Sequence, residues 1–194
     1  MKMSRFQHAK FLVSAAAAAQ FPPDAGAEVA FAGRSNSGKS SAINAITQRR
    51  GLARTSKTPG RTRLLNFFEL APLRRLVDLP GYGYASGPKA ELRSWRPLID
   101  ALQERASLRG LFVIVDARRG LGEGDEGLLA WVSPERRMHV LLSKADKLSR
   151  AEAARALGAA RDALAGRATL QLFSAMEGTG IGEAQETLLE WLGK

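Results

Sequence analysis

The stretch Gly33-Arg34-Ser35-Asn36-Ser37-Gly38-Lys39-Ser40 fits G-x-x-x-x-G-K-[ST], the phosphate-binding loop, and constrains this chain more than any other feature. Before it runs Glu28-Val29-Ala30-Phe31-Ala32, apolar and strand-like. After it runs Ser41-Ala42-Ile43-Asn44-Ala45-Ile46, which is helix-like. Gly33 and Gly38 allow backbone angles that let the main chain close on phosphate. Successive N–H groups then point inward at a helix N-terminus, where an anion is favoured. Lys39 is expected to reach the β/γ-phosphates and the Ser40 hydroxyl to hold Mg²⁺. The bland alternative, a glycine turn followed by a chance Lys-Ser, does not account for the strand before it and the helix after it.

A chain of 194 residues suits one compact α/β domain with a short extension, here residues 1–27 packed on a domain of residues 28–194. It has no cysteine, which excludes a disulfide framework and cysteine-bound zinc, and its two histidines, His8 and His139, are far apart. The formal net charge of +10 points to a polyanionic partner such as nucleic acid; a genome that writes arginine freely is the competing explanation. Lys2, Arg5 and Lys10 ahead of Phe11–Ala15 superficially read as a signal peptide. The alanine-rich run and the nearby phosphate loop argue instead for a short element over 11–20, packed on a cytoplasmic domain. No segment is long and apolar enough to span a bilayer.

After the first helix, residues 49–63 are basic and turn-rich, with no acidic residue, and a connection of that length is usually functional. Strand-like runs at 64–70 and 74–79 flank Ala71-Pro72, which reads as a hairpin turn. The second run ends in Asp78-Leu79-Pro80-Gly81. In this order after a phosphate loop, Asp78 suits the Mg²⁺ water shell and the Gly81 N–H the γ-phosphate. Tyr82–Gly87 is glycine-rich. Leu92, Trp95, Leu98, Ile99 and Leu102 recur at helical spacing, which predicts core packing. Leu111–Asp116 reads as a central parallel strand, 117–127 as a charged loop and 128–132 as a short helix. Strand signals at 140–142 and 170–173 alternate with helical ones at 149–164 and 181–192. The pattern predicts an α/β fold: a mostly parallel six-stranded sheet with one antiparallel edge strand, helices on both faces, and a site at the strand C-termini.

Ser143-Lys144-Ala145-Asp146, at a strand end, resembles the [NT]-K-x-D guanine motif. Guanine presents N1–H and a 2-amino group side by side, and one carboxylate accepts both; adenine offers no such pair, so Asp146 would discriminate against it. The Lys144 stem can lie over the base. Phe173-Ser174-Ala175, after the last strand, matches the element that holds the guanine oxygen. Ser143 departs from the usual Asn or Thr, and the expectation is that it loses reach to the phosphate loop.

G-R-S-N-S-G-K-S-S, T-S-K-T-P-G-R-T-R and D-L-P-G-Y-G-Y-A together resemble the EngB family of bacterial GTPases from Glu28 onward. The resemblance implies a three-layer, Ras-like P-loop G domain, assembly of the large ribosomal subunit through ribosomal RNA, and through that cell division and septation. It implies GTP/GDP contacts at Gly33 to Ser40, at Gly60, Arg61, Thr62, Arg63 and Leu64, at Asp78 to Gly81, at Ser143 to Asp146 and at Phe173 to Ala175. Mg²⁺ is implied at Ser40 and Thr62. Lys39, Thr62 and Asn36 are the expected catalytic residues, with Asn36 as a K⁺ ligand by likeness to related GTPases. Tyr82 stands where Ras-like enzymes carry a water-positioning glutamine, so slow intrinsic hydrolysis is expected. A monomer is the default for such a switch. A P-loop kinase and an RNA-binding module that uses nucleotide only for structure are the rival readings; neither an acceptor lid nor an RNA-recognition motif is legible.

Overall fold

The computed structural model describes residue 6 and residues 8–54, 64–82 and 88–193. Its strands are β1 (Lys10–Ala15), β2 (Ala27–Gly33), β3 (Leu65–Ala71), β4 (Arg74–Asp78), β5 (Leu108–Asp116), β6 (Arg137–Ser143) and β7 (Thr169–Leu172). Its helices are α1 (Lys39–Thr47), α2 (Pro88–Gln103), α3 (Glu123–Trp131), α4 (Arg150–Leu164) and α5 (Ile181–Trp191). The strands form one sheet in the order β1-β3-β4-β2-β5-β6-β7.

Among the described residues seven strands stand where six are expected, and the seventh is β1. Its neighbouring alanines mask a strand that pairs antiparallel with β3, supported by a Lys10–Glu69 ion pair of 3.0 Å and a Ser14 hydroxyl that donates to Asn66 Oδ1 at 2.6 Å. The antiparallel strand β3 therefore lies one place in from the edge, between β1 and β4. The remaining neighbours, β4, β2, β5, β6 and β7, run parallel. The predicted hairpin is present: β3 and β4 flank Pro72-Leu73, with Leu73 at φ 59°. Helix α3 starts at Glu123, five residues before the predicted piece. Its first turn is acidic, and the Asp125 carboxylate accepts from the Gly122 N–H at 3.0 Å, which stabilises that end of the helix.

The alternation of strand side chains sorts the core into two layers. On one face Val29, Phe31, Phe112 and Ile114 pack with Ala42, Ile43 and Ile46 of α1 and Ala184, Leu188 and Trp191 of α5; Phe31 and Phe112 stack at 4.8 Å. On the other, Ala30, Ala32, Val113, Val115 and Val140 meet Ile99 and Leu102 of α2, Leu128 of α3 and Ala160 and Leu164 of α4. Covered on both faces, the middles of β2 and β5, Val29–Ala32 and Leu111–Val115, must be apolar, as their sequences are.

Charge lies toward the strand ends: Glu28 is fully buried near the start of β2 and Asp116 nearly so at the end of β5. The Glu28 carboxylate pairs with Arg75 and with Arg105 Nε at 2.7 Å. The same guanidinium groups donate to the carbonyls of Pro22, Pro23 and Ala25, at 2.9 to 3.1 Å. This cluster ties the segment before β2 to the N-terminal end of the sheet.

Candidate nucleotide-binding site

The predicted motifs converge at the C-terminal ends of β2, β4, β6 and β7. Gly33 closes β2 where a Cβ would lie 2.6 Å from Ser37 Oγ and 2.7 Å from the Ile114 carbonyl, so no larger residue fits. The loop turns through Asn36 at φ 65° and Gly38 at φ 96°, which begins α1 as its N-cap. Left-handed angles at these two positions direct consecutive N–H groups toward the helix end. The Asp78 segment is stitched to this loop: Leu79 N–H donates to Phe31 O at 2.9 Å, and Ser35 N–H donates to Tyr82 O at 2.7 Å. Gly81 sits so close that a Cβ would meet Ser35 Oγ at 3.0 Å. The Lys39 ammonium pairs with Asp78 Oδ1, both side chains nearly buried. Leu64 lies half-buried just before β3. Gly60, Arg61, Thr62 and Arg63 lie outside the described residues, and with them the Thr62 metal and catalytic assignment.

The base motif forms the second wall. Ser143 ends β6, and its hydroxyl faces the Ser37 carbonyl at 2.5 Å and the Val115 carbonyl at 3.1 Å. The expected loss of reach to the phosphate loop is thus incorrect. The loop's own carbonyl comes to the short side chain, so no longer amide is needed. Lys144 takes a left-handed φ of 58° and sends its ammonium to the Asn36 carbonyl at 2.6 Å. Ala145 N–H donates to Phe173 O at 3.1 Å, joining the two base segments. Ser174, fully buried, donates its hydroxyl to Asp146 Oδ1 at 2.7 Å, and Lys147 pairs with Oδ2 at 3.2 Å. The Ser174 hydrogen bond, with Lys147 beside it, holds the Asp146 carboxyl below its ordinary value, so it is an acceptor at neutral pH. Phe173 is buried beneath this corner and Ala175 begins the turn that follows.

Asp116 escaped the sequence reading, and Tyr82 was read there only for the amide it lacks. Asp116 ends β5, in register with Ser143, and pairs with Arg118 at 2.7 Å and Lys144 at 3.0 Å. The Arg118 hydrogen bond, then Lys144, keeps its carboxyl well below the usual range against the opposing effect of burial. Tyr82 is fully buried, and its hydroxyl donates to Asp125 Oδ1 at 2.6 Å. Burial pushes both groups above their ordinary values, which keeps the phenol protonated; the Tyr82 hydrogen bond partly offsets this for Asp125. Tyr82 thus anchors the segment after Gly81 to α3 through its ring and hydroxyl. Its place after D-x-x-G marks only the absence of a water-positioning amide; the pairing with Asp125 carries no local signal.

The comparisons with known proteins agree with this geometry. A family model described as a 50S ribosome-binding GTPase matches residues 28–144. The probable GTP-binding protein EngB of Nitrosococcus oceani is 51% identical over 195 residues, covering 98% of each chain. The protein of the same name from Coxiella burnetii is 50% identical over 191 residues, covering 96% of this chain and 93% of that one. Among solved structures, a probable GTP-binding protein EngB superposes with a TM-score of 0.67 at 21% identity, over 86% of this chain and 98% of that one. Era in complex with MgGDPNP and a 16S ribosomal RNA segment superposes with a TM-score of 0.61 at 19% identity, over 88% of this chain and 58% of that one. At such identities the structural likeness speaks for the fold.

Proposed function

We propose that this chain, which belongs to the EngB family of GTP-binding proteins and is a GTPase, works as a nucleotide-dependent switch in assembly of the large ribosomal subunit and, through ribosome supply, supports cell division and septation. The observation that carries the nucleotide part is the corner where Asp146, held by Ser174 and Lys147, stands beside a phosphate loop to which Ser143 and Lys144 are bonded. Asp146 accepts the paired donors of guanine, the Gly33–Ser40 backbone cradles the phosphates, and Lys39 exchanges Asp78 for a phosphate oxygen.

Mg²⁺ fits the donors present. Among the described residues no cluster of three or more acidic or histidine side chains could hold a metal by itself. A hydroxyl, a nearby carboxylate and nucleotide phosphates are the hard-oxygen set that Mg²⁺ takes. Ser40 and Thr62 would hold the ion, with Asp78 beside its water shell; its chemistry there would be to offset the negative charge of the phosphates. With Tyr82 packed on Asp125, no side chain directly after Gly81 positions water, which supports slow intrinsic hydrolysis. Asn36 at the loop crest is the candidate K⁺ ligand, and equal hydrolysis rates in K⁺ and Na⁺ buffers would remove that role.

Among the described residues no helix is long and apolar enough to cross a membrane; a monomer acting in the cytoplasm is the form this reading proposes. The charge of +10 and the basic residues of 49–63 suit ribosomal RNA. Thr62 and its neighbours sense the γ-phosphate and present their cations in one nucleotide state only. The test is co-sedimentation with large ribosomal subunits in Mg²⁺ buffer with a GTP analogue, GDP, ADP or no nucleotide, alongside Asp146→Ala. We expect one guanine nucleotide state to bind best, ADP to act as no nucleotide, and Asp146→Ala to lose the dependence. Identical sedimentation in all four states ends the switch reading, since a ligand with equal affinity for two states shifts nothing.

A further inference from the structure

Lys144, bonded directly to the phosphate loop, is also held by a carboxylate that belongs to neither motif. Asp116 lies at the C-terminal end of β5, on the strand beside β6, with Asp116 opposite Ser143. Its Oδ2 stands 3.0 Å from the Lys144 ammonium, which also donates to the Asn36 carbonyl at 2.6 Å. Arg118 holds both oxygens: Oδ1 accepts its N–H at 3.1 Å and its Nε at 2.9 Å, and Oδ2 also accepts its Nη2 at 2.7 Å, so the carboxylate cannot swing away from the lysine without giving up these three bonds. The Asp116 side chain is 7% exposed against 32% for Lys144. A nearly buried anion thus fixes a more exposed cation, a geometry in which the ion pair has orienting value.

We propose that Asp116 is a positioning residue of the nucleotide site: it holds Lys144 across the Asn36 carbonyl, so that the loop around the base and the loop around the phosphates are set as one unit. Lys144 has three donors on a flexible stem. Without the carboxylate it keeps one neutral acceptor on the phosphate loop, and its stem is free to leave the face on which guanine rests. Asp116 therefore acts on affinity through Lys144, and its contribution vanishes when Lys144 is gone. The inference rests on the guanine-nucleotide reading above.

The test is a double-mutant cycle on the full chain, with Mg²⁺·GDP affinity measured by calorimetry for wild type, Asp116→Asn, Lys144→Met and the double variant. Thermal unfolding without nucleotide serves as the fold control. Coupled contacts give interaction energies that correspond to a roughly tenfold effect. We expect Asp116→Asn to weaken GDP about tenfold in the wild-type background and less than about twofold where Lys144 is already methionine. A loss of equal size in both backgrounds, or no loss in either, overturns the proposal, because a carboxylate that merely stabilises the fold acts regardless of residue 144. Asp116→Ser, smaller and still able to accept the Arg118 N–H, goes through the same cycle should Asp116→Asn fail to fold. If wild type binds no GDP, the nucleotide reading itself fails; if it binds and the cycle is additive, only the role of Asp116 does.

Discussion

At the N-terminal end of the parallel strands, Glu28 meets Arg75 and Arg105, and the remaining guanidinium donors end on the carbonyls of Pro22, Pro23 and Ala25. At the C-terminal end, Lys39 meets Asp78 and Lys144 meets Asp116, beside the phosphate loop. The first cluster is closed by the chain's own backbone and joins three separate segments. In the second, the Lys39–Asp78 pair is the one whose partners have alternatives in the proposed function, a phosphate oxygen for Lys39 and a hydrated cation for Asp78, while Lys144 stays on Asp116. One sheet thus spends buried charge on architecture at one end and on exchangeable contacts at the other, and the difference lies in how completely the backbone satisfies each cation.

The largest expected effect comes from Glu28→Gln, which leaves two buried arginines without their anion. It should destabilise the fold by about 3–5 kcal/mol in urea unfolding, with GDP affinity of the folded fraction unchanged within about twofold. A specific loss of GDP affinity would break the comparison by joining the two ends.

Next is nucleotide itself. GDP at roughly a hundredfold its Kd adds about 2.7 kcal/mol, which for a chain of this length is about 5–10 °C in Tm. Lys39→Ala should abolish that shift in a thermal scan, because Lys39 gives up Asp78 only when phosphate replaces it; an undiminished shift would make the pair architectural, like the Glu28 cluster.

The smallest effect is a pH dependence away from the site. His139 Nε2 faces Gln171 Oε1 at 2.9 Å, an oxygen that only accepts, so Nε2 carries the proton and Nδ1 accepts from the Thr169 hydroxyl at 2.7 Å. Burial, opposed by the Gln171 bond and the more distant Glu183, lowers its pKa below the ordinary 6.5. The unfolded chain therefore takes up that proton at higher pH than the folded one. The stabilisation is full above about pH 6.5 and is lost as pH falls through the folded value. Urea unfolding at pH 7.5 and pH 5.5 should show the loss in wild type and less of it in His139→Gln.

Much of this molecule was legible in its residues. The phosphate loop, D-x-x-G, S-K-A-D and the S-A element all stand where strand-end motifs belong, and the alternation of apolar runs foretold a parallel sheet covered on both faces. What was not legible has a common cause. β1 was hidden because its alanine-rich surroundings carry no strand preference, and its pairing with β3 spans residues far apart in the chain. Ser143 looked too short by side-chain length alone, since nothing local tells that the Ser37 carbonyl, 106 residues away, sits 2.5 Å from it. Tyr82 lacks a water-positioning amide, and nothing local tells that Asp125, 43 residues on, takes its hydroxyl into the core.

By itself the sequence determined the chemistry of each loop, because phosphate and base recognition depend on backbone conformation and on residue types only a few positions apart, which glycine spacing and a single carboxylate encode directly. Only the tertiary structure decided how those loops hold one another: the bonds Ser143–Ser37, Lys144–Asn36, Lys144–Asp116 and Tyr82–Asp125 join strands that become neighbours only when the sheet forms, so their geometry follows from the packing of the whole sheet.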